Sequence, residues 1–168
     1  MNVSELLADA LGRVREQLPD VVAGLGDDDL AWRPDPGANS IAWLVWHLSR
    51  IEDDHVSGVA GTEQVWMSGG WYDRFALPFE PHAHGYGMST GDVAKVRASA
   101  DLLAGYYDAV ASATAAYVAT LAPDDLDRVV DDTWDPPVTL GVRLVSVVDE
   151  VNAHLGQAQY VRGLLERR

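Results

Sequence analysis

The chain has 168 residues, of which 48% are hydrophobic, so it is long enough to bury one well-filled core and too short to favour two domains. Its 26 acidic residues against 12 basic ones give a net charge of -14, which repels nucleic-acid phosphates and anionic membrane surfaces. The lack of cysteine excludes disulfides, thiolate metal sites and cysteine nucleophiles, so any thiol chemistry needs a thiol from outside the chain.

The N-terminal segment carries acids and arginines in place of the apolar run of a signal peptide. No later stretch approaches the roughly 18 apolar residues of a membrane span. We therefore expect one cytoplasmic domain over residues 1–168, with no nucleic acid or membrane as a partner.

The first half of the chain contains two predicted helices. Leucines and valines at three- and four-residue spacing predict a first helix over residues 4–18, which Pro19 is expected to end. After a turn-rich connector, Asn39 or Ser40 is suited to cap a second helix over residues 41–59. Isoleucine, leucine and valine form one apolar stripe along this helix.

The second half contains two more. A third helix is predicted over residues 99–121, and a fourth over residues 140–165, for which Thr139 is a suitable N-cap. Four amphipathic helices joined by turn-rich connectors predict an all-α fold, and specifically a four-helix bundle.

Residues 61–91, between the second and third helices, make a loop that is unusually long for a compact domain. Its aromatic and histidine side chains are Trp66, Trp71, Tyr72, Phe75, His82, His84 and Tyr86. Aromatic side chains supply apolar area that disordered segments lack. We therefore expect a packed lid that helps to enclose a substrate.

Glu150 and His154 lie four residues apart on the fourth helix, so one ion is within reach of both side chains. His154 falls at the edge of the apolar stripe, and Glu150 lies about 40° further toward solvent. A core histidine beside a solvated acid would give the same pattern.

His47 lies at the border of the second helix's apolar stripe, a position that suits a metal ligand and equally an ordinary boundary histidine. His55 follows three acids, and we interpret it as a structural histidine or, at most, as a residue that contacts one of the metal ligands. Two imidazoles and a carboxylate suit Zn²⁺, Ni²⁺, Fe²⁺ or Mn²⁺ and leave coordination positions free. Such an ion activates either water or a thiol.

Candidates for a substrate pocket surround these residues. Trp43 and Trp46 flank His47, although tryptophans on an amphipathic helix also serve as core. Arg143 suits an acidic cosubstrate or a surface salt bridge. Trp71 and Tyr86 come from the long loop, and no catalytic side chain beyond the three metal ligands is indicated.

The chain resembles the DinB/YfiT-like superfamily of metal-binding four-helix bundles, and above all its actinobacterial branch of mycothiol-dependent S-transferases. The likeness covers nearly the whole chain. It rests on DDDLAWRPDPGANSIAWLVWHLSRIEDDH, on GWYDRF in the loop, on WDPPVTLGVRLVSVVDE and on DEVNAHLGQAQYVRGLLE in the last helix.

The resemblance implies an ion held by His47, by His154 and by a side chain four residues before it. Many members have histidine at that middle position, where this chain has Glu150, with Asp149 beside it. Helical spacing favours Glu150, because Asp149 points roughly 100° away. A carboxylate in place of a histidine weakens the preference of the site for soft ions. We expect zinc as the bound ion first and nickel second.

The resemblance also implies an activity. It predicts transfer of a low-molecular-weight thiol, with mycothiol as the first candidate, to an electrophilic small molecule in detoxification, the metal holding the thiolate. The alternatives are a metal-dependent hydrolase or thiol-dependent isomerase in the same pocket, and a non-catalytic metal-binding stress or interaction protein. A homodimer is expected from the family likeness and the prevalence of dimers.

Overall fold

The computed structural model describes residues 1–168, and helices dominate it. The α-helices are α1 (Val3–Val22), α2 (Asp27–Leu30), α3 (Ile41–Ala60), α4 (Val65–Ser68), α5 (Trp71–Phe75), α6 (Thr90–Val93), α7 (Ala100–Val118) and α8 (Leu140–Leu165). A 3-10 helix, Pro123–Asp127, and two strands, β1 (Val129–Asp131) and β2 (Val138–Thr139), lie between α7 and α8.

The four long helices pack as a bundle. The helices α1 and α3 each lie against both α7 and α8, so α1 is diagonal to α3 across the core. Leucine and valine from all four helices fill that core, together with aromatic residues of α3 and α7. The predicted all-α bundle is confirmed.

Capping side chains set where the long helices begin. The Ser40 hydroxyl accepts a hydrogen bond from the Trp43 backbone N–H at the start of α3. Ser99 and Thr139 cap α7 and α8 in the same way. Each hydroxyl satisfies one of the N–H groups that a helix start leaves without a partner. Of the two candidates for the cap of α3, the structure has Ser40. The predicted Thr139 cap of α8 and the predicted ends of α8 at residues 140 and 165 are confirmed.

The prediction that Pro19 ends the first helix was wrong. The proline lies inside α1, and the helix continues for one more turn to Val22. A proline in that position costs one backbone hydrogen bond. Burial of Val21 and Val22 in the core offsets the loss, and the Ala23 N–H still bonds the Pro19 carbonyl.

The segment between α3 and α7 contains α4, α5 and α6 and is packed as expected. Trp66, Trp71 and Phe75 are buried against Tyr106 of α7, with ring centroids 5.0 to 5.8 Å from it. Together with α7 and α8, this segment covers α3, so residues 41–53 are buried on every side of the helix.

A small antiparallel hairpin precedes α8 and was not predicted. Val129 pairs with Thr139, and Asp131 pairs with Val138. Strands of three and two residues are too short for alternation of polar and apolar residues to reveal them. The hairpin leads directly into the Thr139 cap of α8.

None of the helices combines the length and the apolar character that crossing a bilayer demands.

Candidate metal centre

Two neighbouring helices bring His47, Glu150 and His154 together. His47 lies in the middle of α3, while Glu150 and His154 lie one turn apart in the middle of α8. Glu150 Oε1 is 3.2 Å from His47 Nε2 and 3.1 Å from His154 Nε2. Candidate ligand atoms of all three residues lie within 4.8 Å of one another.

The three side chains differ in exposure. The side chain of His47 is 4% exposed, that of His154 16%, and that of Glu150 37%. The cluster is therefore closed at His47 and open toward solvent at the carboxylate. Asp149 points away from the cluster and is exposed, so the structure brings Glu150 to the two histidines, as helical spacing favours.

The outer nitrogen of each histidine ring has its own acceptor. His47 Nδ1 donates to the backbone carbonyl of His84, and His154 Nδ1 donates to Gln157 Oε1 at 2.8 Å. We assign the tautomers from these bonds, because a carbonyl oxygen accepts and does not donate. In each neutral ring the Nε2 lone pair then faces Glu150.

This arrangement fits a divalent cation. Two Nε2 lone pairs and a carboxylate oxygen face one another, and no hydrogen lies between them unless a histidine or the carboxyl group takes up a proton. Ligands bound tetrahedrally at about 2.0 to 2.1 Å stand about 3.3 Å apart, close to the two distances from Glu150. Imidazole nitrogen and carboxylate oxygen are ordinary ligands of zinc and nickel.

Burial also favours the form of the His47 imidazole that binds metals. Removal from water lowers the pKa of His47 below its ordinary value, and the bond to the His84 carbonyl opposes only part of that effect. The imidazole is therefore held in its neutral form, which is the form that binds metals.

Trp43 forms a wall beside the histidines. Its ring stacks on His47, with centroids 4.5 Å apart and planes inclined by 21°, and its edge approaches His154 at 6.1 Å. The indole therefore covers one side of the cluster with apolar surface. Of the tryptophans proposed from sequence for the pocket, this one contacts the cluster.

The other proposed pocket residues lie elsewhere. Trp46 packs against Trp66 and Phe79 in the core, and Trp71 packs against Tyr106 with the Arg74 guanidinium over its ring. Tyr86 is 85% exposed, on the loop beside His84.

Arg143 pairs with His55 and not with the cluster. Its Nη1 lies 3.0 Å from His55 Nδ1, and its Nη2 lies 3.2 Å from Asp131. These side chains line a separate polar cavity of about 490 Å³ that also includes Arg128. Burial, and then the charge of Arg143, lowers the pKa of His55.

A larger cavity of about 670 Å³ lies beside the cluster, between the loop at residues 34–39 and α8. Gln157, which holds His154, is part of its lining, as are Gly156 and Tyr160. A further cavity of about 400 Å³ between α3 and α7 is lined by Thr114 and Asp53 and not by any of the three candidate ligands.

Two contacts of the cluster escaped the sequence analysis. Gln157 stands three residues after His154, so helical spacing alone was enough to find it. The His84 carbonyl is a backbone group that reaches α3 from a loop, and no residue pattern in the sequence indicates it.

Comparisons with known proteins agree with this architecture. A family model described as Mycothiol-S-transferase matches residues 6–167. A crystal structure of a conserved protein from Enterococcus faecalis superimposes with a TM-score of 0.93 at 32% sequence identity, covering 100% of this chain and 99% of that chain. No curated protein matches the chain at a significant level.

Proposed function

The chain belongs to the mycothiol-S-transferase family, and from that membership we propose that it is a metal-dependent transferase that joins a low-molecular-weight thiol to an electrophilic small molecule. Mycothiol is the first candidate for the thiol. Because the chain has no cysteine, the sulfur comes from the cosubstrate. We place the reaction in the cytoplasm, where small thiols are kept reduced, and assign it to detoxification.

One observation carries the proposal, namely that candidate ligand atoms of three residues converge in a cluster that is open to solvent at Glu150. His47, Glu150 and His154 would hold the ion, with zinc as the first expectation and nickel as the second. A divalent ion bound there lowers the pKa of a coordinated thiol so that it is a thiolate at neutral pH.

The protein's own residues supply orientation and exclusion of water. The His84 carbonyl and Gln157 keep the two imidazoles turned with Nε2 inward. The Trp43 ring covers His47 and leaves the side at Glu150 open to small molecules. Three protein ligands leave coordination positions free, as metal centres that react with substrates require.

The cavity of about 670 Å³ beside Gln157 is the proposed place for the organic part of a substrate. Its volume falls within the range of roughly 300 to 1,000 Å³ that is usual for small-molecule sites. Its lining combines apolar side chains with the polar groups of Asn39, Gln157 and Tyr160, which suits a molecule with both carbon surface and hydroxyl or amide groups.

The decisive experiment combines metal analysis with a thiol requirement. Protein purified without a metal-affinity tag should carry about one divalent ion per chain, and the variants His47→Ala and His154→Ala should lose it while staying helical. With 1-chloro-2,4-dinitrobenzene as a model electrophile, the wild type should release chloride only when mycothiol is added. A folded wild type that stays metal-free after incubation with zinc and nickel contradicts the proposal.

The same experiment separates the alternatives. Turnover of an ester or amide without any thiol would favour a hydrolase, because the open coordination positions also suit water. Turnover of a substrate without consumption of the thiol would favour an isomerase. We also propose that the protein is a homodimer, which light scattering on the purified chain tests directly.

A further inference from the structure

The segment at residues 81–85 lies directly over His47, the most deeply buried of the three candidate ligands. We propose that Gly85 and Arg50 are positioning residues of the metal centre, because together they hold the His84 carbonyl on His47 and thereby keep the proton of the neutral ring on Nδ1, which leaves Nε2 free to bind the ion. The inference rests on the proposed function in one respect, that the cluster binds a metal.

Gly85 allows the backbone to approach the imidazole. Its φ is +99°, a conformation that residues with a side chain rarely adopt. A Cβ at this position would lie 2.5 Å from His47 Nδ1, 3.1 Å from its Cγ and 3.3 Å from Trp43 Cζ2. The His47 ring has no room to retreat, because it is buried and stacked on Trp43. Any side chain at residue 85 therefore pushes the loop away from His47.

Arg50 holds the same segment, residues 81–85, by hydrogen bonds from α3. It lies one turn after His47 on α3 and is completely buried. Its Nε donates to the Ala83 carbonyl at 3.1 Å, and its Nη2 donates to the Pro81 carbonyl at 3.4 Å. The helix that supplies the ligand thus also anchors the loop that orients it.

The rest of the guanidinium is held by other groups. Its Nη1 donates to Gln64 Oε1 at 2.8 Å and to the Tyr106 hydroxyl at 3.3 Å, and it lies 3.7 Å from an oxygen of Asp53. Because these partners fix the arginine, the positions of the Ala83 and Pro81 carbonyls are fixed as well. The His84 carbonyl follows Ala83 directly and is placed by the same anchor.

The consequence concerns the tautomer of His47. While Nδ1 donates to the His84 carbonyl, Nε2 of the neutral ring keeps its lone pair for a cation. If the carbonyl moves away, the proton can shift to Nε2. From there Nε2–H would donate a hydrogen bond to Glu150 Oε1, which is 3.2 Å away. A protonated Nε2 does not bind metal, so the loop selects the state of the ring that can act as a ligand.

Two neighbouring glycines provide a matched test. Gly87 also has a positive φ, +72°, but a Cβ there meets nothing within 4 Å. Gly85→Ala and Gly87→Ala therefore impose a similar backbone constraint, and only the first contacts His47. We expect Gly85→Ala to bind zinc about 10- to 100-fold more weakly than the wild type in competition with a chromophoric chelator, and Gly87→Ala to stay close to the wild type.

A second measurement does not depend on metal. Nitrogen-15 NMR of the metal-free wild type, at a pH above histidine titration, should show His47 protonated on Nδ1 and not on Nε2. Gly85→Ala should shift the ring toward protonation on Nε2. In Arg50→Lys, which keeps a positive charge but loses the planar guanidinium that donates to both carbonyls from two nitrogens, we expect the same shift, with far-UV circular dichroism confirming that the variant is helical.

Two outcomes overturn the inference. One is a Gly85→Ala variant that binds zinc as tightly as Gly87→Ala does, and the other is a wild type whose His47 is protonated on Nε2. If the wild type binds no metal at all, the proposed function fails, while the NMR result still decides whether the loop sets the His47 tautomer.

Discussion

The helix α3 carries buried acidic and basic groups on two sides, and the two sides differ in how those groups are satisfied. Toward α8, His47 meets the carboxylate of Glu150 at the edge of the protein, where solvent reaches the cluster. Toward α7, Glu52 is completely buried, and neither of its carboxylate oxygens has a hydrogen-bond partner. The carboxylate of Glu150 lies where a cation fits, whereas that of Glu52 lies where a negative charge raises the free energy of the folded protein.

The environment of Glu52 has a direct electrostatic effect. Burial raises the pKa of Glu52 to about 7, and the nearby hydroxyls of Thr114 and Tyr107 offset only part of the rise. Neither hydroxyl reaches the carboxylate with hydrogen-bond geometry. Burial alone therefore does not mark a functional carboxylate: Glu150, partly exposed and facing two imidazoles, is the one suited to chemistry, whereas Glu52 affects stability.

The same amide substitution should weaken zinc binding on one side of α3 and leave it unchanged on the other. Glu150→Gln removes the negative charge and one strong metal-binding oxygen, so zinc affinity should fall by more than the roughly 100-fold that loss of a group bonded to a ligand causes. Glu52→Gln should leave zinc affinity unchanged. Chelator competition measures both, and equal zinc affinity in the wild type and Glu150→Gln would contradict the assignment of Glu150.

Glu150→His sharpens this result. The family resemblance implies histidine at this position in many members, so three imidazoles should restore the zinc binding that Glu150→Gln loses. Because imidazole is a softer ligand than carboxylate, we expect the variant to prefer nickel and zinc over manganese more strongly than the wild type does. Metal competition on the two proteins measures that preference.

The second prediction concerns stability on the other side of α3. Because the folded-state pKa of Glu52 is raised from an ordinary 4.5 to about 7, the folded protein binds this proton more tightly than the unfolded chain does. The resulting stabilisation, about 3 kcal/mol, is complete below the ordinary pKa and is lost as the pH rises through the folded value. Above pH 7 the Glu52 carboxylate is charged while it is still buried.

Urea unfolding at several pH values tests this effect. The free energy of unfolding of the wild type should fall between acidic and neutral pH, after allowance for other groups, and Glu52→Gln should fall less steeply. At mildly alkaline pH the variant should be the more stable protein. Parallel pH profiles for the two proteins would show that Glu52 is not the group responsible.

The part of this architecture that was predictable from sequence is the part that depends on helical spacing. The periodicity of α3 and α8 and the position of Thr139 located the two helices that bring His47 and His154 together. Spacing also selected Glu150 over Asp149. These features depend on neighbours three and four residues apart, which the sequence displays directly.

The features that were missed depend on contacts between distant segments. Pro19 lies inside α1 because Val21 and Val22 are buried by other helices, which no local rule registers. Glu52 is the first of three consecutive acids, a run that is typical of a solvated helix face, so its complete burial was not predicted; α3 is enclosed only because α7, α8 and residues 61–91 all fold over it. The His84 carbonyl likewise reaches His47 from 37 positions away.

The third prediction tests the group that orients His154. Gln157→Leu removes the acceptor of the His154 Nδ1 proton, so zinc affinity should fall by about 10- to 100-fold, less than on loss of Glu150 itself. Gln159→Leu is the control, since that glutamine lies on the same helix and bonds Gln17 of α1 instead. An unchanged zinc affinity in Gln157→Leu would show that His154 needs no such support.

The smallest effect is expected in the cavity next to the metal centre. Gly156 lines it on α8, is exposed, and has nothing within 4 Å of a Cβ added there, so we expect Gly156→Leu to add apolar bulk to the cavity and to leave the core and the three candidate ligands in place. Leucine also has a better helix propensity than glycine, by about 1 kcal/mol, so the substitution should not destabilise the fold.

If the organic part of a substrate lies in this cavity, KM for the thiol or the electrophile should rise by about tenfold, an effect of about 1.4 kcal/mol, with metal content unchanged. Varying each substrate in turn identifies which one the cavity holds, because the other should keep its wild-type KM. Wild-type values for both substrates would place them on another side of Glu150 and would separate the cavity from the reaction.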